Sequence, residues 1–171
     1  MSKETKTIDK IIKNARQIEA DMLFTEKSNF IFAKFWGYIN SFLTILIIIL
    51  SIISAAFIFK NINGISYYLI SISNLMIIFF SIFQYYSNPS EKGIFSRSIA
   101  RKYNLLRKEI EIFYTIEIYE NSYEKNIEIL KDFNKRKFSL DSQLPNIYGF
   151  IYKLAKRSIE KGEHSYNDLE E

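Results

Sequence analysis

Two long stretches of the sequence carry no charged residue, and they follow one another almost without interruption. The first runs for 25 residues, from Phe35 to Phe59, and the second for 30 residues, from Asn61 to Ser90. A helix rises about 1.5 Å per residue, so about 20 apolar residues cross the roughly 30 Å hydrocarbon core of a bilayer. The alternative, two buried core helices of a soluble protein, is disfavoured because such helices rarely lack charge on every face. The sequence therefore predicts a hairpin of two transmembrane helices.

The ends of the two spans are marked by local signals. We place the first span at residues 36–59 and the second at residues 65–86, with Gly64 at the turn between them. The second span is expected to end in the segment Ser87–Ser90, because Pro89 cannot continue a helix without losing a backbone hydrogen bond.

The distribution of basic residues predicts the orientation of the hairpin. Arg16, Lys27 and Lys34 precede the first span, and the connecting loop carries only Lys60. Six basic residues follow the second span within about 20 positions: Lys92, Arg97, Arg101, Lys102, Arg107 and Lys108. Because positive charge accumulates on the cytoplasmic side of membrane proteins, both termini are expected in the cytoplasm. The net charge of +4 is explained by this topology.

The segments outside the hairpin show the periodicity of amphipathic helices. Residues 3–34 are expected to form a cytoplasmic helix with apolar positions at helical spacing. Residues 91–171 are expected to form a cytoplasmic region of about three helices, in which Pro145 opens the last helix and Gly162 ends it. The fold class is an all-α membrane protein, with residues 1–171 forming a single domain.

Each span carries its polar residues on one face. At 100° per residue, Asn40, Thr44 and Ser51 lie within about 40° of arc in the first span. In the second span the polar residues lie within about 100° of arc. The candidate functional residues on the two faces are Asn40, Thr44, Ser51, Ser66, Ser73, Asn74, Ser81 and Gln84.

These polar faces have two interpretations. They form contacts between packed helices, where each interhelical hydrogen bond contributes about 0.6 kcal/mol, or they line a water-filled path in an oligomer. Packing is the commoner use of such a face, and the two interpretations are not exclusive. Two helices cannot enclose a pore, so conduction requires several chains. Neither span contains an ionisable Asp, Glu, Lys, Arg or His, which argues against a proton relay.

The sequence lacks the residue patterns of common enzymes. It contains no cysteine and one histidine, and it has no glycine-rich phosphate loop, HExxH or GxSxG motif. We therefore expect no enzymatic activity and no metal or cofactor. The basic run Lys135–Lys137 is too short to argue for direct nucleic-acid binding, and contact with anionic lipid is the alternative.

The order of an amphipathic helix, a two-span hairpin and a tail of cytoplasmic helices resembles the SLATT domain family over nearly the whole chain. The resemblance is carried by Ala15-Arg16, by Leu50–Ser54 late in the first span and by the segment Tyr103–Ile110. The end of the chain resembles the family at Pro145, Ala155, Ser158-Ile159, Glu163 and Tyr166.

The resemblance implies a non-enzymatic effector of bacterial anti-phage systems, located in the inner membrane. Such an effector is a homo-oligomer that forms or gates a pore, or otherwise disrupts the membrane, on a signal linked to infection. The implied partners are the lipid bilayer and a nucleotide second messenger or a protein encoded nearby, such as a nucleotidyltransferase or a reverse transcriptase. The alternative function is a non-conducting membrane anchor whose cytoplasmic helices dock a soluble partner.

Overall fold

The computed structural model describes the backbone of residues 3–59 and 64–162, together with the side chains of residues 7–57, 64 and 67–162. The description leaves out residues 60–63 and residues 163–171. The second of these ranges includes Glu163 and Tyr166 of the family resemblance. Every regular element in the described ranges is helical: α1 Lys3–Phe59, α2 Gly64–Ser87, α3 Pro89–Thr115, a 3-10 turn Glu117–Tyr119, α4 Tyr123–Asp141 and α5 Gly149–Glu160.

Helix α1 combines two segments that the sequence analysis separated. The amphipathic helix expected at residues 3–34 and the span expected at residues 36–59 form one continuous helix of 57 residues. No proline interrupts this segment, and Gly37, its only glycine, does not break the helix. A single glycine in a helix costs only about 1 kcal/mol relative to alanine, which the flanking helix formers offset.

The junction between α2 and α3 is a single residue, Asn88. Its φ of 42° is the left-handed conformation that asparagine tolerates better than other side chains. Its backbone N–H donates to Gln84 O and its carbonyl accepts from Lys92 N. Its side-chain amide donates to the Glu91 carboxylate, in the first turn of α3. Pro89 occupies the first position of α3, where its missing N–H has no cost.

Local signals mark the start of α4 and the end of α5. The Ser122 hydroxyl accepts a hydrogen bond from Lys125 N at the start of α4. Gly162, with a φ of 74°, follows the end of α5. The expectation that Pro145 opens the last helix is wrong, because α5 begins at Gly149. Tyr148 precedes it in an extended conformation, with φ −68° and ψ 142°.

Contacts within the chain divide it into two units. The hairpin unit comprises Ala33–Ile94, and the bundle unit comprises Met1–Phe32 together with Phe95–Glu171. The bundle unit has an apolar core to which α1, α3, the 3-10 turn and α4 contribute. The buried core residues are Ile11, Ala15, Met22, Ile99, Tyr103, Leu106, Ile110, Phe113, Ile118 and Phe133.

Candidate functional site

The outer surface of the hairpin unit is apolar. Large side chains on both of its long helices are exposed, among them Phe42, Ile52, Leu75, Phe79 and Ile82. Two helices are long and apolar enough to cross a membrane, and only 11% and 6% of their most apolar windows are buried within the chain. The core helix of a soluble protein would be mostly buried. An apolar surface of this extent requires a partner other than water.

Three of the predicted polar residues form one hydrogen-bonded group between α1 and α2. The side-chain amide of Gln84 donates to Asn40 Oδ1 at 3.1 Å and to Thr44 Oγ1 at 3.0 Å. The Thr44 hydroxyl donates in turn to Asn40 O at 2.9 Å. We call this set the Gln84 group. Both hydrogens of the Gln84 amide are therefore used inside the hairpin.

A second polar contact lies nearer the turn. The buried Ser54 hydroxyl donates to Asn74 Oδ1 at 2.9 Å. We call these two residues the Asn74 pair. Ser54 was not among the predicted site residues, although its spacing offers a sequence signal. Ser54 and Asn74 each stand ten positions from Gly64, the first residue of α2, as residues that face each other in an antiparallel pair of helices can.

Among the described side chains, the other predicted site residues take no part in these two groups. The exposed Ser51 hydroxyl donates to Ile47 O of its own helix at 2.8 Å, a common arrangement for serine in an apolar helix. Ser73 is half-buried and Ser81 is exposed. The side chain of Ser66 lies outside the described residues. The structure thus brings together Asn40, Thr44 and Gln84, and it pairs Asn74 with a residue that the sequence analysis missed.

The amide hydrogens of Gln84 and the hydroxyl of Ser54 find acceptors within one chain. An unpaired amide in hydrocarbon costs several kcal/mol, so the hairpin gains its stability partly by using Gln84 and Asn74 internally. Packing between α1 and α2 is therefore the arrangement of these residues in a single chain. Ser81 is the predicted polar residue that remains exposed on the face that carries Asn74 and Gln84.

At the open end of the hairpin unit, α1 and α3 approach closely. A Cβ atom on Gly93 would lie 3.3 Å from Ala33 O and 3.7 Å from Gly37 N, so any larger residue there would push the two helices slightly apart. The neighbouring Lys92 ammonium lies 4.5 Å from the centroid of the Trp36 ring. This cation–π contact joins the same two helices beside the glycine.

In the bundle unit, α1 and α3 are joined by a cluster of charged residues. Glu26 is only 4% exposed, and its carboxylate accepts from Arg107 Nε at 3.0 Å and from Asn104 Nδ2 at 2.8 Å. Arg107 Nη1 also lies 3.4 Å from Glu19 Oε1. The Tyr114 hydroxyl donates to the other oxygen of Glu19 at 2.9 Å. The buried carboxylate is thus paired and hydrogen-bonded, which a buried charge requires.

These contacts change the pKa of two groups in the cluster. Burial lowers the pKa of Arg107, but the hydrogen bonds and charges of Glu26 and Glu19 outweigh it, so the net pKa is raised. Burial raises the pKa of Tyr114 to about 12, with additional contributions from its hydrogen bond to Glu19 and from the charge of that residue. Arg107 therefore stays charged and Tyr114 stays protonated at any physiological pH.

A second contact joins α3 to the end of α4. The Tyr103 hydroxyl donates to Asp141 Oδ1 at 2.5 Å, and Lys137 Nζ lies 3.3 Å from the other Asp141 oxygen. Burial, followed by the hydrogen bond to Asp141 and its charge, raises the pKa of Tyr103. Asp141 also marks the last residue of α4, so this contact fixes the point at which the following connection leaves the bundle.

Within the described ranges, His, Asp and Glu side chains form no cluster that could hold a metal ion. Comparison with known protein families, curated proteins and solved structures found no match for this chain.

Proposed function

We propose that the chain is a two-span membrane protein of the inner membrane with both termini in the cytoplasm. The observation that supports this proposal is the exposed apolar surface of the hairpin unit, on which Phe42, Leu75 and Phe79 are each exposed by more than half. Lipid tails are the solvent for such a surface, and the internal pairing of Gln84 and Asn74 suits a medium that offers no hydrogen bonds.

Within that membrane protein, we propose the activity of a SLATT-like effector that oligomerises and disrupts the membrane on an infection-linked signal. The bundle unit would receive a nucleotide or a partner protein and change its self-association. The polar residues of the hairpin would then exchange partners within one chain for partners between chains, or for water in a lumen. The signal must bind the assembled and unassembled states with different affinity, because otherwise it shifts nothing.

The second candidate function, a non-conducting anchor, has its own supporting observation. In one chain the Gln84 group and the Asn74 pair already use the amide hydrogens of Gln84, the side-chain oxygens of Asn40 and Asn74 and the hydroxyl of Ser54. A hairpin closed in this way needs no second chain in order to be stable in lipid. The bundle unit would then dock a soluble partner while the hairpin only holds it at the membrane.

The two functions are separated by measuring the membrane potential of bacteria that express the full chain together with its neighbouring genes. The effector depolarises the cells on activation, which a potential-sensitive dye reports. Ser81→Leu removes an exposed polar side chain that belongs to neither internal group, so the fold and membrane insertion should survive. Ser71→Leu is the matched control, because Ser71 is equally exposed but lies about 80° away from Ser81 around α2.

The effector proposal expects Ser81→Leu to abolish depolarisation while Ser71→Leu leaves it intact. An inserted and activated wild-type protein that leaves the membrane potential unchanged would overturn the effector and leave the anchor. Depolarisation that persists in the Ser81→Leu variant would show that the membrane is disrupted without a lumen lined by this face.

A further inference from the structure

Outside the hairpin, the longest uncharged run of the chain lies in the bundle unit. It extends from Ser142 to Tyr152, between Asp141 and Lys153, in a chain of which 25% is charged. The run contains three aromatic residues together with Leu144, Pro145 and Ile147. A surface connection in water usually carries charged or small polar residues, so this composition needs a physical reason.

The structure places the run on the surface of the bundle unit, except for Ile151, which is buried. It forms the connection between α4 and α5 and the first turn of α5. The rings of Tyr148 and Phe150 are stacked, with centroids 5.9 Å apart, and each residue is 47% exposed. Two large aromatic residues are therefore held in a fixed arrangement at the surface.

Contacts with α1 show which end of the bundle unit carries these rings. Tyr148 meets the Phe32 ring edge-on at 5.7 Å, and Tyr152 stacks on Phe24 at 5.8 Å. Helix α5 therefore runs antiparallel to α1, with its first residues beside Phe32. Phe32 precedes Trp36 by one helical turn of α1, and Trp36 is where the sequence places the inner boundary of the first span.

Cationic side chains lie beside the same connection. Lys102 Nζ is 3.4 Å from Gln143 Oε1, and Arg101, the preceding residue of α3, is exposed. Aromatic rings beside basic side chains are the composition of protein surfaces that rest in the headgroup region of a bilayer. There the rings enter the acyl boundary while the cations meet lipid phosphates.

We propose that the segment Ser142–Tyr152 is an interfacial anchor, which inserts the rings of Tyr148 and Phe150 into the cytoplasmic headgroup layer of a membrane containing anionic lipid. The occupant of this surface is the bilayer itself. The proposal rests on the membrane insertion proposed above, and it adds a second attachment of the bundle unit beyond the covalent connection through α1 and α3.

The chain offers a direct test because Trp36 is its only tryptophan. In a Trp36→Phe background, three full-length variants each carry one reporter: Phe150→Trp at the proposed anchor, Phe79→Trp in the middle of α2, and Tyr119→Trp in the 3-10 turn. Tyr119 is the matched surface control, since it is 69% exposed and belongs to the same bundle unit. Each variant is reconstituted in vesicles of phosphatidylcholine and phosphatidylglycerol, with and without brominated acyl chains, and its fluorescence quenching is measured.

The proposal expects strong quenching at position 79, clear quenching at position 150 and little at position 119. Omission of phosphatidylglycerol should reduce the quenching at position 150 at least twofold and leave position 79 unchanged. Quenching at position 79 with none at position 150 would overturn the anchor while membrane insertion stands. A blue-shifted but unquenched reporter at position 150 would assign the surface to a second copy or another protein. An unquenched reporter at position 79 would overturn insertion and the anchor together.

Discussion

Gln84 and Thr44 stand the same distance from Gly64, twenty residues after it and twenty before it, and their side chains meet across the hairpin at 3.0 Å. Asn74 and Ser54 repeat the relationship at ten residues from Gly64. Both polar contacts thus follow from one antiparallel register. This register joins α1 and α2 through side-chain hydrogen bonds at two levels, and it leads to the first prediction.

Replacement of Gln84 by leucine should weaken the hairpin without preventing its insertion. At about 0.6 kcal/mol for an interhelical hydrogen bond in a membrane protein, loss of both Gln84 bonds costs about 1 kcal/mol. Unfolding in mixed micelles, followed by circular dichroism, measures this loss. Ser81→Leu is the control, because Ser81 belongs to neither polar group. Equal stability of the two variants would contradict the role of Gln84.

Replacement of Gly37 and of Gly93 by alanine should change the stability of the hairpin unit differently. Gly37→Ala is expected to stabilise α1 by up to about 1 kcal/mol, because a Cβ there has no atom within 4 Å. Gly93→Ala should lose that gain, because its Cβ would lie 3.3 Å from the carbonyl oxygen of Ala33, a backbone atom that cannot turn aside. Thermal unfolding of both variants in the same detergent decides the matter; a similar gain in both would refute the close approach.

Replacement of Asn88 by alanine should destabilise the fold more than replacement by glycine. Alanine loses the hydrogen bond to Glu91 and also places a Cβ at a φ of 42°, which costs about 1–2 kcal/mol. Glycine loses only the hydrogen bond, because it adopts positive φ freely. We expect the melting temperature to fall in the order wild type, Asn88→Gly, Asn88→Ala. The reverse order for the two variants would show that Asn88 is not held in the left-handed conformation.

Arg107→Ala should be among the most destabilising substitutions in the bundle unit. It leaves the buried Glu26 carboxylate with Asn104 as its remaining described partner, and breaking a buried ion pair costs about 3 kcal/mol or more. Arg136→Ala removes a pair with Glu109 whose contact is shorter, at 2.6 Å, but that pair is half-exposed and should contribute at most about 1 kcal/mol. Chemical denaturation of the full chain compares the two. A loss for Arg107→Ala no larger than for Arg136→Ala would argue against the buried cluster.

The bundle unit should lose stability at alkaline pH. The pKa of Tyr114 is raised to about 12 in the folded chain, above its ordinary value of about 10, and the pKa of Tyr103 is raised as well. The unfolded chain therefore releases these protons first, so the stabilisation is complete below about pH 10 and is lost as pH rises towards 12. The free energy of unfolding, measured between pH 9 and pH 12, should fall less steeply for Tyr114→Phe. An unchanged slope would show that Tyr114 is not held in protonated form.

Much of the fold followed from local signals in the sequence. The residue at which the first span was expected to end, Phe59, is also the last residue of α1. Helix α2 ends at Ser87, within the segment Ser87–Ser90 that was expected to end the second span. Gly64, expected at the turn, is instead the first residue of α2. The prediction that Pro145 opens the last helix was wrong. A proline suits the first position of a helix, but it does not require a helix to begin there. Tyr148 instead keeps the chain extended until Gly149, and its ring contacts Phe32, more than 100 positions away.

The candidate site was predicted less completely than the fold. Helical periodicity placed Asn40, Thr44 and Gln84 on polar faces, and the structure joins them. Helical periodicity alone could not select Ser54, because a polar face is defined within one helix. An interhelical hydrogen bond also depends on how the two helices are rotated about their axes. The proposed pore adds a further requirement, because a lumen needs several chains. The arrangement of those chains is not encoded in any single helix.

By itself, the sequence determined where the helices lie and which segments avoid water, because charge, proline, glycine and apolar length act locally along the chain. Only the tertiary structure decided which polar groups meet. Glu26 and Arg107 are 81 positions apart, and their 3.0 Å contact exists because α1 and α3 pack at one particular rotation and register. Such a contact is fixed by the burial of all the apolar side chains around it, so it is a property of the packed helices rather than of either segment.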